Sequence, residues 1–347
     1  MRHWSIIGVL GVLLVCGCSD DSDSPAPSSE SRVTSEVHSL LLTNISALHE
    51  SASQLQAAAP AHAWDAERDA EAISQMTEAW LKARSEYEHI EGAVAPLFAE
   101  IDVAIDARYE DFLETLGKEG DGNLFDDEGV TGMHAVERIL FAKEMPDSVV
   151  QLESSLPGYT PAAWPSTDEE AVAFKKQLCA RLVADTQELL TQWKPSRIAV
   201  DGAFRGLIGL MNEQREKVNK ASTQEEESRY AQRTMADLRD NLAGTEKVYG
   251  VFQSWILSKS GGAEVNEKIE RRFGELKTTY ASVKGNAFPA APATWSAEDP
   301  SPDDLATPFG KLYSAVHEAV DPNREDSLVS AMNEALVLLG YEEFVEE

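Results

Sequence analysis

Apolar residues recur at steps of three and four along most of the chain. Val37, Leu41, Ile45, Leu48 and Leu55 make one stripe, and Ile73, Met76, Trp80, Ala83, Tyr87 and Ile90 make another. Leu238, Leu242, Thr245, Tyr249, Phe252 and Ile256 repeat the pattern, followed by Ile269, Phe273, Leu276, Tyr280 and Val283. Leu328, Met332, Leu336 and Leu339 close the chain. This spacing gathers side chains on one face of an α-helix. No run keeps the period of two that a half-buried strand requires. The pattern predicts an all-α fold of about ten helices.

Punctuation divides these helices. Thr167-x-x-Glu170 and Thr223-x-x-Glu226 read as capping boxes, in which a hydroxyl and a carboxylate satisfy free amides of a first turn. Pro146, Pro157, Pro161 and Pro165, with Gly158, predict a long connection, and Pro289, Pro292, Pro300 and Pro302 a second. The expected organisation is a first bundle at 34–145, a Pro-rich connection at 146–166 and a second bundle at 167–347. About four helices in the first part suffice for one bundle.

The N-terminus reads differently. Ile6 to Val15 form an apolar run after Arg2 and His3, long enough for a signal-peptide core and too short to span a bilayer. It ends in Val15-Cys16-Gly17-Cys18-Ser19, which resembles a bacterial lipobox. Residues 1–17 are therefore expected to be a lipoprotein signal peptide, with Cys18 lipidated and residues 18–33, rich in Ser, Asp and Pro, a flexible tether. Periplasmic placement follows. Ser19 favours the outer membrane, and Asp20 leaves the inner membrane open. Cys179 then stands alone among apolar residues and reads as an inert core thiol.

Composition narrows the function. The 347 residues include 60 Asp and Glu against 30 Lys and Arg, a net charge of −30. Such a surface repels nucleic acid and anionic headgroups and attracts cations. The apolar fraction of 43% is that of a folded protein, so acidity does not imply disorder. No His-Glu-x-x-His, phosphate-binding glycine loop, Gly-x-Ser-x-Gly or Cys-x-x-Cys occurs.

One local constellation remains: Gly132-Met133-His134-Ala135-Val136-Glu137. Positions i and i+3 share a helix face, so His134 and Glu137 can meet one metal ion. An imidazole with carboxylates suits iron, manganese or zinc. The pair alone says little, because about one such pair is expected by chance and two occur, the other being His62/Asp65. Context adds weight. Apolar Met133, Val136, Ile139, Leu140 and Phe141 surround the pair, and a buried carboxylate needs a partner. Upstream, Glu88 and Glu91 border one apolar stripe, and Asp102 and Asp106 lie four apart on another helix. Facing helices build bundle metal sites in this way.

In order, Tyr87-Glu88-His89-Ile90-Glu91, Ile105-Asp106-Ala107-Arg108 and Gly132–Glu137 resemble the motifs of the imelysin-like family, with its EfeM/EfeO-type periplasmic iron-uptake lipoproteins. Tyr230-Ala231-Gln232 and Asp237-x-x-x-Asn241-x-x-Gly244 look similar to two further family motifs. The likeness spans roughly residues 34–345. It implies an all-α fold of two packed four-helix-bundle-like halves, with Glu91, Asp106, His134 and Glu137 as metal ligands. Glu88 and Asp102 are the reserve candidates. There are departures: Gln232 and Thr234 stand where the EfeO type often has His and Asp. Its cupredoxin domain is not expected here, since 19–33 holds no His or Met cluster.

The resemblance implies a lipid-anchored periplasmic protein that captures iron, with zinc or another divalent cation as the alternative ion. An inner-membrane iron permease is the expected partner. The competing reading is an imelysin-type metallopeptidase at the same His-x-x-Glu. Arg138 follows Glu137 where an inverted zincin motif needs a second His, so no catalytic residue is assigned.

Overall fold

The computed structural model describes residues 28–345. The signal-peptide segment, Cys18 and most of the tether lie outside the described residues. Fifteen α-helical segments and no strand occur among the described residues. They are α1 (Ser29–Ala58), α2 (Ala70–Glu88), α3 (Glu91–Val94), α4 (Ala99–Asp106), α5 (Tyr109–Leu116), α6 (Gly132–Leu140), α7 (Asp147–Glu153) and α8 (Asp168–Ala173). They continue with α9 (Cys179–Trp193), α10 (Val200–Ala221), α11 (Thr234–Leu257), α12 (Gly262–Ser282), α13 (Pro302–Leu305), α14 (Pro308–Val320) and α15 (Leu328–Leu338). Among the described residues no helix is long and apolar enough to cross a membrane.

The apolar stripes form the core. Every residue of the α1 and α11 stripes is buried, as are Met76, Trp80, Ala83 and Tyr87 of α2. Helix α1 starts at Ser29, inside the stretch read as tether, because Ser28 caps it by accepting from Ser31 N and Val33 is already buried. Thr167 and Glu170 form the expected capping box. Thr223 and Glu226 do not open a helix; Thr223 lies just past the end of α10 and donates to Lys220 O.

Two groups of helices pack together. Helices α1, α2, α4, α6 and α9 form one; α10, α11, α12, α14 and α15 form the other. Sequence punctuation put the division at 146–166, but α9 lies beyond it and packs on α1, α4 and α6. The chain therefore leaves the first group only after Trp193. A π-helical turn at Phe174–Leu178 joins α8 to α9, and its Lys175 caps the C-terminal end of α1 by donating to Ala57 O and Ala59 O. Cys179 is fully buried, and burial pushes its thiol pKa up. The Pro-rich connection also contains α7, whose Glu153 is buried. Where α2, α3, α4 and α6 face α10 and α11, the interior turns polar.

Candidate metal centre

Gly132 sets the position of α6. Its φ is +87°, a left-handed conformation, and a Cβ there would lie 2.8 Å from Ile105 O. The start of α6 is thus pressed against the end of α4, which brings His134 beside Asp106. Trp80 Nε1 donates to Met133 O at 3.0 Å and fixes α6 on α2.

His134 and Glu137 meet, as the i, i+3 spacing predicts. His134 Nδ1 is 2.7 Å from Glu137 Oε2. The other oxygen, Oε1, accepts from Tyr230 N at 3.1 Å and Ala231 N at 2.8 Å. Both oxygens of Glu137 are therefore engaged, and the carboxylate orients the imidazole. That leaves His134 Nε2 facing Asp106 Oδ1 at 3.4 Å, buried and without a hydrogen bond. Burial pulls the His134 pKa down, but the partners Asp106 and Glu137 outweigh it and raise it to about 9. Burial likewise raises Asp106, and Arg84 and His134 overcome it, leaving Asp106 at about 2.

Next to Asp106 lies a denser cluster. Oxygens of Glu88, Glu227 and Asp237 all lie within 4.8 Å of one another, a geometry able to hold a metal ion. The fully buried guanidinium of Arg84 sits among them. It pairs with Glu88 and Asp106, reaches Glu227 Oε2 at 3.2 Å, and approaches Asp237 Oδ2 at 3.6 Å. Asp237 is also held by Arg233. Burial among acids, opposed only by Arg84 and Lys217, drives the Glu88 pKa well above its ordinary value.

Glu91 points elsewhere. It pairs with Lys217 Nζ at 3.1 Å, and Lys217 also reaches Glu227 Oε1 at 2.9 Å. Asn241 joins these groups: its amide donates to Glu88 Oε2 and Glu91 Oε2, and its carbonyl accepts from Lys217. Asp237, Asn241 and Gly244 share one face of α11 at i, i+4 and i+7. Gly244 permits the contact, since a Cβ there would stand 2.4 Å from His89 O. Tyr230 is held from the other side, where its hydroxyl donates to Glu153, which also accepts from Arg138 Nε. Arg138, the residue in place of a second zincin His, is thus spent on an ion pair.

A cleft of about 180 Å³ opens onto Asp106, Lys217 and Glu227, rimmed by Arg108, Glu213, Glu216 and Lys220. The side chains of Asp106 and Glu227 are 16% and 14% exposed, whereas those of Glu88 and Asp237 are at 0%. Access to the cluster is from the Asp106–Glu227 side. Asp102, a reserve candidate, accepts from the Tyr87 hydroxyl instead.

Sequence reading thus brought Asp106, His134, Glu137 and the reserve Glu88 to one place. It missed Arg84, Lys217 and Glu227, and it placed Asp237 and Asn241 only in a motif. The Asp237–Asn241–Gly244 spacing was the available signal. Glu227 lies within Glu225-Glu226-Glu227, where nothing marks one residue over its neighbours.

The sequence profile of the imelysin family, peptidase family M75, matches residues 41–330. The iron uptake system component EfeM of Bacillus subtilis (strain 168) is 25% identical over 214 residues, covering 62% of this chain and 44% of that protein. The iron uptake system component EfeO of Escherichia coli (strain K12) is 23% identical over 214 residues, 61% of this chain and 45% of that protein. The match therefore spans less than half the length of these relatives. The crystal structure of an imelysin-like protein from Psychrobacter arcticum 273-4 has a TM-score of 0.56 at 13% identity, covering 91% of this chain and 98% of that one, a likeness of fold.

Proposed function

The chain belongs to the imelysin family, and from that premise we propose that it captures iron for uptake. The observation that carries the reading is the convergence of Glu88, Glu227 and Asp237 within 4.8 Å, beside Asp106 and the unpartnered Nε2 of His134, at the foot of a charged cleft. Oxygen donors with one imidazole suit iron, with zinc or manganese next. Glu137 has the place of the carboxylate that fixes a ligating His through its other nitrogen. In this reading Asp106 and His134 are ligands together with Glu88, Glu227 and Asp237. Glu137 positions the ring, and Glu91 shares Lys217 with Glu227 at the edge of the centre. The iron is cargo. The net charge of −30 raises the local concentration of cations around the protein.

Anchoring through a lipidated Cys18, periplasmic placement on the outer membrane, and transfer to an inner-membrane permease belong to the same proposal. Their support is the Val15–Ser19 sequence and the uptake role named for EfeM and EfeO. Calorimetric titration of the purified chain with Fe²⁺ under anaerobic conditions, and with Zn²⁺, tests the site. Asp106→Asn and His134→Ala are each expected to weaken binding tenfold or more. Unchanged affinity in both variants, or no binding by the wild type, refutes it. The metallopeptidase reading would use Glu88 as its general base, and that carboxylate is fully buried, paired with Arg84 and bonded by Asn241. Zinc-dependent cleavage of an unfolded protein by the wild type would restore it.

A further inference from the structure

The cluster that would bind a metal already contains a cation. Arg84 is fully buried, and its guanidinium contacts the three carboxylates, Glu88, Glu227 and Asp237, whose oxygens lie within 4.8 Å of one another. It also pairs with Asp106, the group nearest His134 Nε2. A metal ion taken up by these oxygens and the guanidinium of Arg84 would occupy the same space.

The fit of the guanidinium is incomplete. Asp106 and Glu227 accept hydrogen bonds from it and Glu88 Oε1 pairs with its Nη2, but Arg84 Nε and Asp237 Oδ2, 3.6 Å apart, make no hydrogen bond. His134 Nε2, 1% exposed and aimed at the same cluster, also lacks a partner. A planar fork directs its donors in one plane. A spherical cation accepts ligands from all sides and engages these leftover atoms. Arg84 cannot lose its proton, so it leaves the cluster only by moving. The cleft beside Asp106 and Glu227 gives it room.

We propose that Arg84 is a built-in competitor for the cargo: the guanidinium neutralises the carboxylates in the empty protein, a multiply charged metal ion displaces it on loading, and its return speeds release. The exchange swaps a single positive charge for two or three, so it favours iron and zinc over monovalent ions. It keeps affinity moderate, as a carrier that must hand on its cargo requires. This inference rests on the metal-capture reading and adds a determinant of affinity and release rate.

The test compares the full chain with Arg84→Gln and Arg84→Lys, using Zn²⁺ as the probe, with calorimetry for affinity and stopped-flow chelator challenge for release. Arg84→Gln is expected to bind at least tenfold tighter and to release correspondingly slower, with Arg84→Lys in between. Without metal, Arg84→Gln should melt lower than wild type, and Zn²⁺ should raise its melting temperature more than that of wild type. If Arg84→Gln does not fold in chelator, refolding on addition of Zn²⁺ supports exchange, and failure to refold together with unchanged affinity in Arg84→Lys overturns it. Wild-type binding with equal or weaker binding by both folded variants overturns the competitor role and leaves the metal site standing. No binding by any of the three proteins removes the metal site itself.

Discussion

Replacing Glu137 separates its structural role from its effect on His134. The carboxylate accepts from three donors: His134 Nδ1, Tyr230 N and Ala231 N. In Glu137→Ala all three are stranded. The donors on His134 and Tyr230 are fully buried, and at about 1–3 kcal/mol each their loss alone is about 2–6 kcal/mol. That is a large share of the roughly 5–15 kcal/mol that holds a typical domain. Glu137→Gln behaves differently. The two backbone amides can only donate, so they fix the glutamine oxygen on their side and turn its NH₂ toward His134 Nδ1. The ring must then accept at Nδ1 and carry its proton on Nε2. Loss of charge assistance weakens the bonds, roughly 2 kcal/mol in all, and the fold persists. In wild type a cation displaces the Nε2 proton while Nδ1–H stays on Glu137, but in Glu137→Gln the neutral ring keeps its one proton on Nε2, so a cation gains that nitrogen only by breaking the bond at Nδ1. Urea unfolding followed by tryptophan fluorescence should rank stability as wild type, Glu137→Gln, Glu137→Ala. Zn²⁺ titration of Glu137→Gln should show affinity about 10–100-fold weaker, the usual penalty for losing the group that orients a ligating histidine. Imidazole ¹⁵N spectra report the tautomer directly. A Glu137→Gln protein with the proton on Nε2 and wild-type affinity would falsify the assignment of Nε2 as a ligand.

Other consequences are simpler to test. Gly132→Ala combines a left-handed backbone with a Cβ 2.8 Å from Ile105 O, and should lower unfolding stability by about 2–5 kcal/mol in denaturant titration; a loss below the measurement error contradicts the close approach of α4 and α6. Trp80→Ala removes a fully buried indole and its bond to Met133 O, and the expected loss is about 3–5 kcal/mol, with a smaller one for Trp80→Phe, measured the same way. Burial raises Asp102 to about 7, with the Tyr87 hydrogen bond opposing, so the native state keeps a proton that the unfolded chain releases near 3.8. Stability from this group is therefore present at low pH and declines as pH rises from about 4 to 7. Asp102→Asn should flatten that part of the stability profile, and an unaltered slope rejects the shift.

Why the helices were legible in the sequence and the cage only in part follows from how each is built. A helix buries a face through residues three and four apart, so Met76, Trp80, Ala83 and Tyr87 announce themselves within a dozen positions. The cage is assembled from α2, α4, α6 and α11 and the turn that carries Glu227, and its contacts join residues more than a hundred positions apart, such as Arg84 and Glu227. Local spacing also underdetermines chemistry. His134 and Glu137 at i, i+3 can share an ion or bond each other, and only the amides of Tyr230 and Ala231, ninety-odd residues away in sequence, decide for the second. Glu91 made the same point in reverse: its place beside the core stripe is as expected, yet Lys217 claims it. The basic residues were hidden for a further reason. A search for cation ligands looks for acids and histidines, whereas a buried acidic cluster without bound metal must include its own counter-charge. Arg84 on α2, between the stripe residues Ala83 and Tyr87, was placed to supply it.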